Sequence, residues 1–399
     1  MTSNNLFKKY LAQTNQNPLM LEVDFAQGSY IYDKAGKQYL DMIAGVAVNN
    51  IGHRHPLVIE AIKNQIDCYL HTMVYGEFIQ SIQSKFAKKL TELLPEKLNS
   101  VYILNSGTEA NEAAIKLIRK YTNRTEIIAF KGSYHGSTNG SLSISYNEKK
   151  KSNFRPLLPD IRFIEWNSIQ ELKYITGRTA GVIIETIQGD AGVRIPNQNF
   201  LEALRKKCSD LGCLLVFDEI QCGMGRTGKL FAFEHFGVVP DVLTLGKALG
   251  GGMPIGALVA DKKVMDCLSH NPELGHITTF GGHPVICASA MACLEVLSTK
   301  INWKKVEKIG KKIEESLIFS PGVKKIRRKG MMFAIEMTSK ELVNEIVLNC
   351  KENGLLAFWF LSHPDCFRLS PPLNLSEKEA DDAIIILKRS IQECSNNYA

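Results

Sequence analysis

Lys247 sits in Thr244-Leu-Gly-Lys247-Ala-Leu-Gly-Gly-Gly-Met-Pro254, a cramped glycine-rich turn downstream of the apolar run Cys213-Leu-Leu-Val-Phe-Asp218. A strand that closes on a carboxylate, followed by a lysine in such a turn, is the pairing that a pyridoxal 5'-phosphate site needs. The lysine holds the cofactor as a Schiff base, and Asp218 faces its pyridinium nitrogen. A carboxylate there keeps the nitrogen protonated, so the ring can accept electrons from a carbanion on the substrate. The lysine must also be partly neutral, which burial or a nearby cation can arrange. Taken singly, each residue has a plainer reading: Asp218 as a turn residue, Lys247 as a cation closing a helix.

Three further groups fall into order around this pair. Asn105-Ser106-Gly107-Thr108-Glu109 follows a strand-like run and opens a helical one. Ser106 and Glu109 have capping-box spacing, while the first-turn N–H groups of Gly107 and Thr108 and the Thr108 hydroxyl suit a phosphate. Tyr134-His135 lies in the glycine-bounded loop Lys131–Ser137, where an aromatic residue could cover a flat heteroaromatic ring. Beyond Asp218, strand periodicity puts Ile220 on the same side, to pack on a ring face, and Gln221 can donate to a phenolic oxygen. Thr278 and Thr279 form a second hydroxyl cluster. Gly223-Met-Gly-Arg-Thr-Gly228 matches a dinucleotide fingerprint, yet no long amphipathic helix follows it, which argues against a nicotinamide cofactor.

Positioning these residues requires a sheet. Between about 51 and 284, seven short apolar runs alternate with helical stretches: Val101–Asn105, Ile127–Phe130, Ile161–Ile164, Gly181–Glu185, Leu214–Asp218, Asp241–Leu245 and Gly256–Ala260. That pattern predicts a three-layer α/β domain on a mostly parallel seven-stranded sheet. Residues 1–50 read as an arm with a short helix and a hairpin (Gly28–Asp33 and Gln38–Met42) that joins the smaller domain. Residues 285–399 read as that smaller α+β domain, with a helix Val285–Ser298, basic amphipathic segments, a strand Gly330–Met337 and a last helix from about Ser376.

The composition of the 399 residues, 45% hydrophobic and 22% charged with a net charge of +7, is that of an ordinary globular enzyme. The basic cluster Lys149-Lys150-Lys151 reads as a solvated loop, because no aromatic residues are interleaved to stack on bases; nucleic acid is not an expected partner. Ten cysteines lack CxxC or Cys/His spacing, so they are expected to be reduced thiols rather than metal ligands. No run approaches a membrane span and the start has no apolar leader, giving a cytoplasmic expectation.

In that order, these residues resemble the class III, ornithine/acetylornithine-type, pyridoxal-phosphate aminotransferases of the aspartate aminotransferase fold. The resemblance runs from Gly28-Ser-Tyr-Ile-Tyr-Asp33 and Ala44–Pro56 to Phe367-Arg-Leu-Ser-Pro-Pro-Leu373, and is most specific in Phe217–Gly228 with Lys247. It implies a cofactor-binding set of Ser106, Gly107, Thr108, Tyr134, His135, Glu185, Asp218, Ile220, Gln221, Lys247, Thr278 and Thr279. Lys247 and Asp218 are the catalytic pair, and Thr279 reaches the phosphate of a neighbouring subunit, so a homodimer is implied. Arg368 would grip the substrate α-carboxylate, and Val46 with Met73–Gly76 would form part of the side-chain wall. Three positions depart from the family: Ser137 where many members carry an arginine for a second carboxylate, Asp190 where a glutamate often latches the C-terminal arginine, and Cys222 where a small hydroxyl residue is common. The implied activity is transfer of an amino group from an ornithine-, acetylornithine- or ω-amino-acid-type donor to a 2-oxo acid, with 2-oxoglutarate favoured, by a ping-pong route. Alternatives are an ω-amine or β-amino acid:pyruvate transaminase, an aminomutase, or a cofactor-binding regulatory protein without turnover.

Overall fold

The computed structural model describes residues 2–396. Its central sheet has seven strands, in the order Ser100–Leu104, Gly256–Ala260, Val242–Gly246, Leu214–Asp218, Thr179–Glu185, Glu126–Phe130, Ile161–Ile164. Gly256–Ala260 runs antiparallel to both neighbours, and the other pairings are parallel. Strands buried on both faces must be apolar at nearly every position, and Leu214–Asp218, Val242–Gly246 and Glu126–Phe130 are buried throughout. Alternate residues feed two cores. Phe130, Val182, Ile184, Leu215 and Phe217 face one layer, while Ile127, Ala129, Ile183 and Val216 meet Ala110, Ala113, Ala114, Leu117 and Ile118 of the helix Gly107–Thr122.

Five of these strands end, at their carboxyl edges, in a turn that carries a candidate site residue, which is where open α/β sheets hold their ligands. Ser100–Leu104 leads to Gly107, Glu126–Phe130 to Tyr134, and Val242–Gly246 to Lys247, while Thr179–Glu185 and Leu214–Asp218 end on the site carboxylates themselves.

The C-terminal part builds a four-stranded antiparallel sheet, in the order Val323–Lys329, Met332–Met337, Cys366–Leu369, Phe358–Trp359. The expected hairpin forms between Tyr30–Asp33 and Gln38–Asp41, with a further strand, Val23–Gln27, that the sequence reading lacked. Leu355–Leu356 adds to its other edge in parallel, so N-terminal and C-terminal segments share one sheet. One of the basic segments after Pro284 is a strand: Val323–Lys329 pairs along its length with Met332–Met337, and that pairing overrides its amphipathic appearance.

The run Gly223–Gly228 has a packing role. Gly225 has φ +84°, and a Cβ there would stand 2.6 Å from Leu373 and 2.8 Å from Trp303. Arg226 is fully buried and donates to the carbonyls of Met331 (3.0 Å) and Pro371 (2.6 Å) and to Asn50 Oδ1. The turn thus joins the main sheet to both chain ends. Among the described residues, no single helix is long and apolar enough to cross a membrane. All ten cysteines are unpaired and most are buried.

Candidate active site

One cavity of about 340 Å³ at the carboxyl edge of the sheet gathers most of the expected residues. Val46, Gly107, Thr108, Tyr134, His135, Ser137, Glu185, Asp190, Asp218, Ile220, Gln221, Lys247 and Arg368 all line it. Lys247 follows its strand in left-handed backbone, φ +45°, uncommon for a residue with a Cβ and a sign of strain stored at a site. Among the described residues its Nζ has no hydrogen-bond or ion-pair partner. Burial holds its ammonium below the ordinary lysine range, with Asp218 and Glu185 opposing. The lysine turn also packs closely on the phosphate-type turn: a Cβ on Gly246 would stand 3.2 Å from Gly107 Cα.

Asp218 is held from three sides. Oδ2 accepts from His135 Nδ1 (2.7 Å) and Asn111 Nδ2 (2.8 Å), and Oδ1 accepts from Ile220 N (3.0 Å). A carboxylate offers about four acceptor positions. The remaining one, on Oδ1, suits a single ring N–H. His135 therefore stands behind the carboxylate as its positioning partner, with Nδ1 donating and Nε2 buried without a partner. Ile220 reaches the cavity by a different route from the one expected. The strand ends at Asp218, and an Asx turn swings Ile220 over Gly107, where a Cβ would meet its Cγ2 at 2.7 Å.

Ser106 caps the helix Gly107–Thr122, its Oγ accepting from Glu109 N at 3.3 Å. The capping box is displaced by one residue: Glu109 Oε2 accepts from Asn105 N (2.8 Å) in place of Ser106 N. Ser106 Oγ thus accepts within the cap, keeping its own proton to donate, and Ser106 does not line the cavity. Gly107 and Thr108 do line it, and their first-turn N–H groups have no intrahelical acceptor, leaving an anion-ready end. The Thr108 hydroxyl is drawn away by Thr138. Thr138 Oγ1 gives its proton to Glu112 (2.5 Å), so Thr108 Oγ1 donates to Thr138 Oγ1 at 2.8 Å.

Glu185 binds loops: Oε1 accepts from Tyr134 N (3.0 Å) and Oε2 from Gly189 N (2.9 Å), while burial pushes the carboxyl up to about 7. Its neighbour Glu219 is also buried and pushed up to about 7 by loss of water, despite accepting from Ala232 N, Phe233 N and Thr186 Oγ1. Because the folded value lies above the ordinary 4.5, the stability this group contributes is complete below about pH 4.5 and is lost as pH rises through 7. Glu219→Gln is therefore expected to gain on the parent by up to about 1.4 kcal/mol per pH unit, roughly 2–2.5 kcal/mol in all, between pH 5 and 7.5. Denaturant midpoints of both proteins across that range measure it; a pH-independent difference would contradict it.

Arg368 and Asp190 form a buried ion pair at 3.0 Å. Burial pulls the Arg368 guanidinium down, and Asp190 opposes this. Asp190 also accepts from Leu361 N (2.9 Å) and Ser362 Oγ (2.6 Å), which pins the segment containing Leu361 over the cavity.

Two expectations fall outside this cavity. Val74, Tyr75 and Gly76 line a separate cleft with Thr278, Gln83 and Gly282, so Met73–Gly76 is not part of the wall around Lys247 within one chain. Thr278 Oγ1 accepts from Gly281 N (2.7 Å) and Asn105 Nδ2 (3.0 Å), while Thr279 is exposed. Neither hydroxyl reaches the chain's own cavity. The sequence reading missed Asn111, which bonds Asp218, His135 O and Thr244 Oγ1. Its signal was an amide amid Ala110, Ala113, Ala114, Leu117 and Ile118. Ile187 and Leu361 were also missed, as wall residues supplied by loops.

The free Nζ, the single open acceptor on Asp218 and the anion-ready helix end share one cavity, and together they fit pyridoxal phosphate. The comparisons agree with this geometry. The family model for class III aminotransferases matches residues 10–391. The acetylornithine aminotransferase of Methanocaldococcus jannaschii is 40% identical over 96% of this chain and 95% of its own length. A [LysW]-aminoadipate semialdehyde/glutamate semialdehyde transaminase of Sulfurisphaera tokodaii is 37% identical over 94% and 95%. The ornithine aminotransferase of Toxoplasma gondii superposes with a TM-score of 0.91 at 29% identity, covering 100% of this chain and 97% of its own. These matches set aside the reading of a regulatory protein without turnover: the chain belongs to the class III aminotransferases and is a pyridoxal-phosphate-dependent transaminase.

Proposed function

We propose that the chain transfers the amino group of an ornithine-, acetylornithine- or ω-amino-acid-type donor to 2-oxoglutarate in two half-reactions. The observation that carries the catalytic part is the unpartnered Lys247 Nζ sharing a cavity with Asp218. When bound, pyridoxal phosphate supplies an electron sink for the substrate carbanion. Lys247 would anchor it through Nζ and, when that amine is free, would take the proton from the carbon that bears the donor's reacting amino group. Asp218 Oδ1 would hold the ring N–H, with His135 and Asn111 fixing the carboxylate. The Gly107 and Thr108 amides would hold the phosphate, Tyr134 would cover the ring, Ile220 would pack on it and Gln221 would meet its oxygen. Arg368 receives the substrate α-carboxylate, a planar bidentate geometry that lysine does not offer.

We further propose a homodimer. Thr279 is exposed beside the exposed Ile277 and Phe280, a surface suited to a second copy, and its hydroxyl would serve the partner's phosphate. On this reading the enzyme works in the cytoplasm, and residues 51–284 and 285–399 are its large and small domains.

Names of relatives favour an acetylornithine-type donor. Ser137 favours a second reading, an ω-amine or β-amino acid:pyruvate transaminase, because no arginine stands there. A panel of ornithine, N-acetylornithine, lysine, 4-aminobutyrate and β-alanine against 2-oxoglutarate and pyruvate separates them. Preference for 2-oxoglutarate supports the first reading and preference for pyruvate the second. Isomerised amine without any oxo product would indicate an aminomutase.

A further inference from the structure

The lysine run 149–151 is only partly solvated. Lys149 is exposed, but Lys151 is buried, donating to Ser145 O (2.9 Å) and Ser143 O (3.2 Å) over the Phe163 ring. Lys150 differs from both. Its Nζ is shielded from solvent and, among the described residues, has no hydrogen-bond partner; it stands 5.8 Å from the Tyr134 ring centroid. It lines a second cavity of about 350 Å³ together with Asn147, Tyr134 and Ser137. Tyr134 and Ser137 also line the cavity of Lys247, so the two spaces share a wall.

A shielded ammonium without a counter-charge is costly. Asp190 is the acid that bears on Lys150, but its oxygens are already taken by Arg368, Leu361 N and Ser362 Oγ. Burial accordingly holds the Lys150 ammonium below the ordinary lysine range. One cation is therefore left without an anion, next to the position where Ser137 provides no charge of its own.

We propose that Lys150 is a specificity-determining residue whose uncompensated charge, acting through the Tyr134–Ser137 wall, favours the distal carboxylate of a dicarboxylic substrate. The substrate class follows from the charges: Arg368 meets one carboxylate, and the one cation left without an anion, Lys150, favours a second negative charge beside Ser137, hence a dicarboxylic oxo acid over pyruvate. This rests on the transaminase reading and deepens it. Lysine suits the task as a compact point charge on a flexible stem.

The test compares glutarate with pentanoate, which replaces one carboxylate by a methyl group, as ligands of the dimeric holoenzyme in calorimetry. The parent is expected to bind glutarate about 30-fold more tightly, in the range seen when one partner of a shielded charge pair is lost. Lys150→Met is expected to reduce that ratio to about 1–2 while leaving pentanoate binding unchanged, which also reports intact folding. Lys150→Arg is expected to keep most of it. An equal preference for glutarate in parent and Lys150→Met, or no preference in the parent, would overturn the proposal. Because binding is read without turnover, failure of the transaminase reading shows separately, as a holoenzyme whose near-visible absorbance no amino donor changes.

Discussion

Lys247→Ala is expected to lower kcat by about 10⁴-fold or more, since it removes both the covalent anchor and the base that would take the proton from the amine-bearing carbon. The cavity offers no substitute. His135 is engaged with Asp218, Arg368 with Asp190, and both Glu185 oxygens accept loop amides. The folded structure should survive, because the lost Nζ has no partner among the described residues. The cost of desolvating the ammonium, visible in its lowered proton affinity, disappears with it. Single-turnover kinetics with and without a small primary amine provide the measurement. Partial rescue by the amine is expected, and a variant retaining a tenth of parental kcat would contradict the assignment.

The second large effect concerns Asp218→Asn. Its Oδ2 accepts from both His135 and Asn111, so the replacement must place its carbonyl there and turn its NH₂ toward Ile220 N and the open position on Oδ1. A donor then faces a donor on both counts. Removing one partner of a buried charge pair costs about 3–5 kcal/mol, which corresponds to about 10²–10⁴ in rate. The loss is expected in kcat more than in KM, because the ring charge matters most as the substrate carbanion forms. An unchanged kcat would show that Asp218 serves only to hold His135 and Asn111.

Much of this was legible because the strands are short, apolar and bounded by turns. Ile161–Ile164, Leu214–Asp218 and Gly256–Ala260 form over the ranges that the apolar runs suggest. Lys247, Asp218, Tyr134, Gly107 and Arg368 converge as expected because each lies on or just beyond a strand, where the sheet fixes its position. What was not legible lies where side chains choose among partners. The Thr108 proton goes to Thr138 because Thr138 gives its own to Glu112, a choice set only when the fold brings Thr138 to this helix. Asn111 looked like one more residue of an alanine-rich helix, and only the fold brings it to Asp218. The lysine run misled for a related reason. Composition shows three charges in a row, whereas the short helical turn over Glu148–Lys150 exposes Lys149 and turns Lys150 inward.

The G-x-G-x-x-G run shows that a motif depends on its surroundings. Its glycines admit Leu373 and Trp303, and its arginine ties Asn50, Met331 and Pro371 together. Here glycine spacing reflects close backbone packing between parts of the chain, with no helix N-terminus positioned to meet a pyrophosphate.

The chemistry of this site depends most directly on where the cofactor is attached. Holoenzyme reduced with borohydride, digested and examined by mass spectrometry is expected to carry one phosphopyridoxyl group, on the peptide containing Lys247 and at its Nζ. A reduced adduct at any other lysine, or none after reconstitution, would contradict it.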